Sequence, residues 1–491
     1  MAPGRGSRGS EYRMRRCGVA AAFAAALAGC TVGPDYRRPE VVSPQSYRWA
    51  GSDWKRAQPA DSLSRGNWWE IFGDPQLNAL AQRVEISNQN LRAAEARFRQ
   101  AQALVRQARA EFFPTITGGA AVDRSRSPGT PARTASSYEL ALDANWELDL
   151  WGRVRRSVEA SEAAAQASAA DLESVRLSAL AALAQSYTAL RTVDAQTRLL
   201  KDTVAAFQRS LDLTRNRYAV GVAAKADVVL AEVQVTSTQA DLAELGVQRA
   251  QLEHAIALLV GEPASTFSVP PTSFRAALPA IPGGVPSELL ERRPDISAAE
   301  RRVAAANARI GVAESAFYPS LVLSATGGLR NASFADLLSA PSRFWALGAT
   351  LAQLLFDGGE RQAVTDQARA SHDEEVALYR QTVLTGFQEV EDSLATLKIL
   401  EEEAALQDAV VRGARQSVEF ALNQYKAGTL NFLNVIVLQA AALNHERTAV
   451  NLAGRRFAAS VALVKALGGG WNAAALHQMG SAPEAVEAAK R

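Results

Sequence analysis

The chain of 491 residues has only two cysteines, Cys17 and Cys30. Two are too few for a disulfide framework or a cysteine-based zinc site. The four histidines, His254, His372, His445 and His477, are scattered, and none has a second ligand at metal spacing. His445-Glu446 lacks the further histidine of a zinc-protease helix. There is no nucleophile elbow and no phosphate-cradling loop, and Gly468-Gly469-Gly470 reads as a helix end. The sequence therefore predicts neither an enzyme nor a cofactor. A formal net charge of +2 gives no electrostatic case for nucleic acid as a partner. Long apolar runs are missing too. The longest, from Val19 to Ala28, is shorter than the roughly 20 residues of a spanning helix. Any membrane role must come through a lipid anchor, an amphipathic surface or β-strands.

What is present begins with an address. Arg13, Arg15 and Arg16 form a basic stretch, and the small apolar run Gly18–Ala28 follows it, as in a secretory signal. The run closes with Leu27-Ala28-Gly29-Cys30, which resembles a bacterial lipobox. In that reading residues 1–29 are removed and Cys30 becomes a lipid-bearing (diacylglycerol and palmitate) N-terminus. Thr31, where an aspartate would signal retention, resembles lipoproteins sorted to the outer membrane. An ordinary signal peptide followed by a free cysteine is the alternative. Met14 serves as well as Met1 for a start.

The rest is a tandem repeat. Adding 207 to Gly152, Asn216, Tyr218, Gly221, Val228 and Gly261 gives Gly359, Asn423, Tyr425, Gly428, Val435 and Gly468. Earlier in each half, Ala94-Glu95 and Pro114 recur as Ala299-Glu300 and Pro319, at an offset of 205. The two-residue difference falls between Pro114 and Gly152. The expected organisation is an N-terminal segment 30–90, a first repeat 91–261, a proline-rich linker 262–294, a second repeat 295–468 and a tail 469–491. Within the repeats, proline-free stretches rich in Ala, Leu, Gln, Glu and Arg predict helices over about 153–219, 224–260, 359–426 and 431–467. Apolar residues step by three and four through Leu180, Leu183, Tyr187 and Leu190, then Leu200, Val204, Phe207 and Leu211, the mark of a coiled-coil seam. A helix over 153–219 is about 100 Å long at about 1.5 Å per residue. The return helix and the shorter Leu91–Phe112 together nearly match it, so two short helices stacked end to end complete a column beside each long one.

Between Pro114 and Gly152 the period changes to two. Tyr138, Leu140, Leu142, Ala144, Trp146, Leu148 and Leu150 alternate with Glu139, Asp143, Asn145, Glu147 and Asp149. This fits a tilted membrane-spanning strand, apolar outward and acidic inward, with Trp146 and Trp151 near an interface. A soluble half-buried sheet is the alternative. Strands are predicted over about 115–123, 137–150, 320–330 and 344–355, with loops at 124–136 and 331–343. Four strands cannot close a barrel, which needs at least about eight and no open edge. Two copies would give a narrow barrel of 8 and three a barrel of 12; the tubular helices and polar strand face favour three.

Several motifs now carry a resemblance. They include Cys30-Thr31-Val32-Gly33-Pro34-Asp35-Tyr36, Trp68-Trp69, Phe72-Gly73-Asp74-Pro75, Glu147-Leu148-Asp149-Leu150-Trp151-Gly152-Arg153, Arg293-Pro294-Asp295-Ile296, Phe317-Tyr318-Pro319 and Leu355-Phe356-Asp357-Gly358-Gly359. With the duplication, from Cys30 to about Gly470, they resemble the TolC-like outer-membrane efflux family, in its OprM/NodT-like lipoprotein branch. The resemblance implies a mainly α fold with a small β part: a homotrimer with a 12-strand barrel in the outer membrane and a 12-column helical tunnel in the periplasm. It implies a channel that exports drugs or small toxic solutes. The partners are a periplasmic adaptor (membrane fusion) protein, an inner-membrane transporter of the RND type, and outer-membrane lipid. It also implies that adaptors grip the helix tips, here Gly221, Val222, Gly428 and Thr429, and that a periplasmic gate lies near Asp227, Tyr425 and Asn434. Leu430 and Asn434 stand where TolC itself has a basic and an acidic partner, and Val437 where an acidic ring residue is usual. The gate expected here is therefore held by hydrogen bonding and packing instead of a full salt-bridge lock. Alternatives from other classes are a conduit of type I protein secretion, a lipid-anchored adaptor, or a structural envelope coiled coil.

Overall fold

A computed structural model describes residues 31–44, 46–49, 67–128, 133–272 and 292–470. Cys30, the signal segment, positions 273–291 of the linker, His477 and the tail from Trp471 lie outside the described residues. Among the described residues no helix is long and apolar enough to cross a membrane. The helices are α1 (Pro75–Ser87), α2 (Gln89–Ala110), α3 (Arg153–Ala219), α4 (Lys225–Val260), α5 (Pro294–Ser315), α6 (Glu360–Ala427) and α7 (Phe432–Ala466). The strands are β1 (Thr115–Ser127), β2 (Arg133–Leu148), β3 (Ser320–Asn331) and β4 (Arg343–Ala352). The repeat is visible in the elements: α2 and α5 each have 22 residues, α3 has 67 and α6 has 68. Contacts divide the chain into two compact units.

The first unit comprises Met1–Glu40, Phe98–Ser168 and Ala298–Tyr379. Its sheet runs in the order β1-β2-β3-β4 with every neighbouring pair antiparallel, so β1 and β4 each keep one open edge. In the register Ile116 faces Ala144, Leu140 faces Leu329, and Leu329 faces Arg343. Directly opposed residues share a face, so Ile116, Val122, Leu140, Leu142, Trp345 and Leu347 form one apolar face, and all six are exposed. The opposite face carries Glu139, Asp143 and Glu147. Helices of this unit bury small residues, including Ala163 against Ala304 and Ala305. Alanine permits that close approach.

The strand limits differ from the alternation in the sequence, for two reasons. β2 stops at Leu148 because the Asp149 carboxylate turns back to cap α3, accepting from Val154 N and Arg155 N, both at 3.0 Å. Asp357 does the same for α6, accepting from Arg361 N at 3.2 Å and from the preceding Gly359 N at 3.0 Å, and β4 accordingly ends at Ala352 instead of near 355. At the other end the hairpin is longer than expected. Arg124, Ser125, Arg126 and Ser127 continue β1, paired with Ser136 back to Arg133, where the sequence reads as loop.

The second unit comprises Val41–Arg97, Ala169–Ser297 and Arg380–Arg491. Trp68, Trp69, Leu77, Leu80 and Val84 pack on Leu180, Leu183, Tyr187 and Leu190 of α3, with Ile256, Val260 and Phe457. Asp74 caps α1, accepting from Gln76 N at 2.9 Å and Leu77 N at 3.2 Å, and its second oxygen accepts from Tyr187 Oη at 2.7 Å. That bond and burial explain one property of Tyr187: burial, then the carboxylate, hold its hydroxyl pKa above the usual value.

Candidate functional site at the hairpin tips and strand ends

Two helical hairpins in the second unit end in the same construction. At the end of α3, Gly221 N donates to Tyr218 O at 2.9 Å and Val222 N to Arg217 O at 2.9 Å. At the end of α6, Gly428 N donates to Tyr425 O at 3.1 Å and Thr429 N to Gln424 O at 3.0 Å. Both glycines are left-handed, with φ of 76° and 80°. This paired closure satisfies the last carbonyls of the helix, and only glycine adopts the required φ without strain. Val222 and Thr429 follow these glycines, and both are exposed.

The expected gate residues have three different settings. Tyr425 is buried, with its ring tilted on Phe432 at 5.1 Å and its hydroxyl donating to Thr214 Oγ1 at 3.4 Å. The Arg217 guanidinium lies over that ring at 4.8 Å and donates to Lys426 O at 3.1 Å, joining the end of α3 to the end of α6. Asp227, in the first turn of α4, accepts from Ala224 N at 3.3 Å. Asn434 donates its side-chain amide to Asn431 Oδ1 at 2.8 Å, inside the cap of α7. Among the described residues no hydrogen bond or ion pair joins any two of Asp227, Tyr425 and Asn434. Leu430 packs at the rim of the tip core, and Val437 is exposed.

Sequence reasoning missed the polar links that tie the two hairpins together. Thr214 reaches Tyr425, and the buried Gln439 donates to Ser210 Oγ at 3.2 Å. Their signal was present. Ser210 and Thr214 are four apart beside Phe207 and Leu211, so they are polar residues set on an apolar seam.

In the first unit, the residues after Cys30 are fastened to the end of β2. Val32 N donates to Trp151 O at 3.0 Å. Arg156 donates to Val32 O at 3.3 Å, Gly33 O at 3.2 Å and Asp35 Oδ1 at 2.8 Å. Asn307 donates to Pro34 O at 2.8 Å, and Tyr36 Oη bonds Glu300. Gly33 is required by close approach, because a Cβ there would lie 2.4 Å from Gly311 Cα. Burial alone would lower the Arg156 pKa; its bonds to Glu159 and Asp35 outweigh that and raise it. Trp151 stacks on Tyr318 at 4.8 Å and donates to Pro319 O at 2.7 Å, while Trp146 donates to Phe112 O at 3.0 Å. Indole rings fixed at the strand ends suit a membrane–water boundary.

Residues 80–262 and 285–469 match the family described as outer membrane efflux protein. The chain is 31% identical over 454 residues to the probable efflux pump outer membrane protein TtgC of Pseudomonas putida, covering 91% of this chain and 93% of that one. It is 32% identical over 435 residues to the pyoverdine export outer membrane protein OpmQ of Pseudomonas aeruginosa, covering 86% and 91%. Among solved structures it resembles the outer-membrane channel OprN, with a TM-score of 0.85 at 31% identity, covering 90% of this chain and 100% of that one.

Proposed function

Because the chain belongs to the outer membrane efflux protein family, we propose that it is the outer-membrane duct of a tripartite pump for small organic solutes. Channels of this family are trimers that work with a periplasmic adaptor and an inner-membrane transporter. The observation that carries the reading is the four-stranded sheet, with an apolar exposed face and an open edge on each side. An open edge cannot stand in lipid, so copies must pair β4 to β1 until the ring closes. Three copies close 12 strands around the acidic face. The export of pyoverdine by one relative and efflux by another support small solutes over secreted protein as the cargo.

Cys30 carries the lipid in this proposal, beside a Thr31–Tyr36 segment clamped to the strand end. The transporter is of the RND type, and the adaptor takes hold at the exposed tips around Gly221, Val222, Gly428 and Thr429. Asp227, Tyr425 and Asn434 set the gate by capping and packing: they fix where the tips sit, and adaptor engagement shifts them. The test is native mass spectrometry of the detergent-extracted protein, with planar-bilayer conductance in parallel. The expected result is a mass of three chains and small, mostly closed openings. Asp227→Ala with Tyr425→Phe widens or prolongs those openings. A single-chain mass without conductance would overturn the duct, and an unchanged double variant would overturn the gate alone.

A further inference from the structure

The outward face of the sheet ends in arginine at both open edges. On β1, Arg124 and Arg126 continue the even-numbered face of Ile116 and Val122. On β4, Arg343 shares that face through Leu329, Leu140 and Ala120. All three are exposed, and among the described residues their side chains make no ion pair or hydrogen bond. Arg330, which faces the other way, has Glu139 at 2.9 Å.

The strand lengths fix where these arginines meet. The alternating directions make β4 antiparallel to β1 of the next copy. β4 has 10 residues and β1 has 13, from Thr115 to Ser127. If all of β4 is paired, Arg343 opposes a residue between positions 124 and 127. If the apolar faces also stay on one side, only Arg124 and Arg126 remain. Each seam between copies therefore sets one arginine opposite another, with a third two residues along the strand. Opposed side chains stand about 5 Å apart, and like charges there repel. The seam needs an anion.

Its position says which kind. Val122 lies two residues below Arg124, and Trp345 two residues below Arg343, and both are largely exposed on the same face. The arginines thus stand just beyond the apolar band, at headgroup level, with tryptophan at its border. This end of the sheet carries the hairpin loops, and the other end joins the helices, so it faces the outer leaflet if the helices stand in the periplasm. We propose that each seam binds the phosphate groups of an anionic outer-leaflet glycolipid bearing more than one phosphate. Planar guanidinium groups take phosphate oxygens in pairs, and three of them match a multiply charged headgroup better than a zwitterionic one. The site rests on the duct reading, since it exists only where copies meet.

The test uses the full-length protein in detergent, titrated with lipopolysaccharide, with phosphatidylethanolamine or with inorganic phosphate, and read by native mass spectrometry. A three-chain mass that retains lipopolysaccharide in preference to the other two, with retention falling as salt rises, supports the site. Each of Arg124→Gln, Arg126→Gln and Arg343→Gln weakens retention about tenfold, the weight of one charged hydrogen bond. Arg330→Gln leaves it unchanged. Arg343→Cys forms an intersubunit disulfide with either Arg124→Cys or Arg126→Cys. A trimer without lipopolysaccharide preference, or one in which neither cysteine pair cross-links, overturns the proposal and leaves the duct standing. Equal stabilisation by inorganic phosphate overturns the lipid assignment. A single-chain mass overturns site and duct together.

Discussion

Glu173 on α3 shows how one side chain makes stability depend on pH. Burial raises its pKa above the usual carboxylate range, and Glu85 raises it further, while Arg176 pulls it back. The folded state therefore keeps a proton that the unfolded chain has already released. Unfolding free energy is greatest below the unfolded pKa and falls as pH rises through the folded one. Urea unfolding across the acidic range up to neutrality will show that decline, and Glu173→Gln will flatten it and raise stability at neutral pH. A variant with the same slope as the parent would assign the decline to other groups. At this scale the sequence hides orientation. Tyr425 reads as a gate residue from its place in a motif, yet its ring fills the tip core against Phe432, and its hydroxyl turns to Thr214. Helical spacing names neighbours along one helix; it does not say which of two packed helices a ring will meet.

The long helices were legible almost to the residue, because proline-free runs of strong helix formers end at glycines that close them. The strands were legible only where lipid imposes alternation. The polar extension 124–127 carries no apolar period, so pairing beyond the hydrocarbon had no signature, and Asp149 continued an alternation that is already a helix cap. The start of α5 is held by the buried Arg293, which donates to Asp295 Oδ2 at 2.6 Å, to Glu389 at 2.6 Å on α6 and to Ala466 O at 3.0 Å at the end of α7. Burial alone would depress its pKa; the two carboxylates overcome that and raise it. Arg293→Ala leaves the Ala466 carbonyl and two half-exposed carboxylates without this partner. The expected loss is roughly 1–3 kcal/mol of unfolding free energy, measured by chemical denaturation in detergent. Arg293→Lys will recover only part, because one ammonium cannot span three acceptors.

At the scale of the whole molecule, the proposed duct meets its ions on the acidic face of the sheet. Asp143 accepts from Thr326 Oγ1 at 2.6 Å, while Glu139 is offset by Arg330 and Glu147 by Arg153, so among the described residues Asp123 and Asp143 are the carboxylates of that face without an ion pair. The reconstituted duct should favour cations. Asp143→Asn should lower the cation-to-anion permeability ratio about twofold, read from reversal potentials in a salt gradient. An unchanged ratio would place selectivity elsewhere, at the tips. The matched lengths of α3 and α6, 67 and 68 residues, have a consequence for ancestry. A deletion in one long helix leaves that half short unless its twin, about 207 residues away, loses the same number. Drift is free to change composition but not length. Gaps that separate this chain from its relatives should fall in pairs within the helices, and singly only among the strands, where the offset itself has slipped by two.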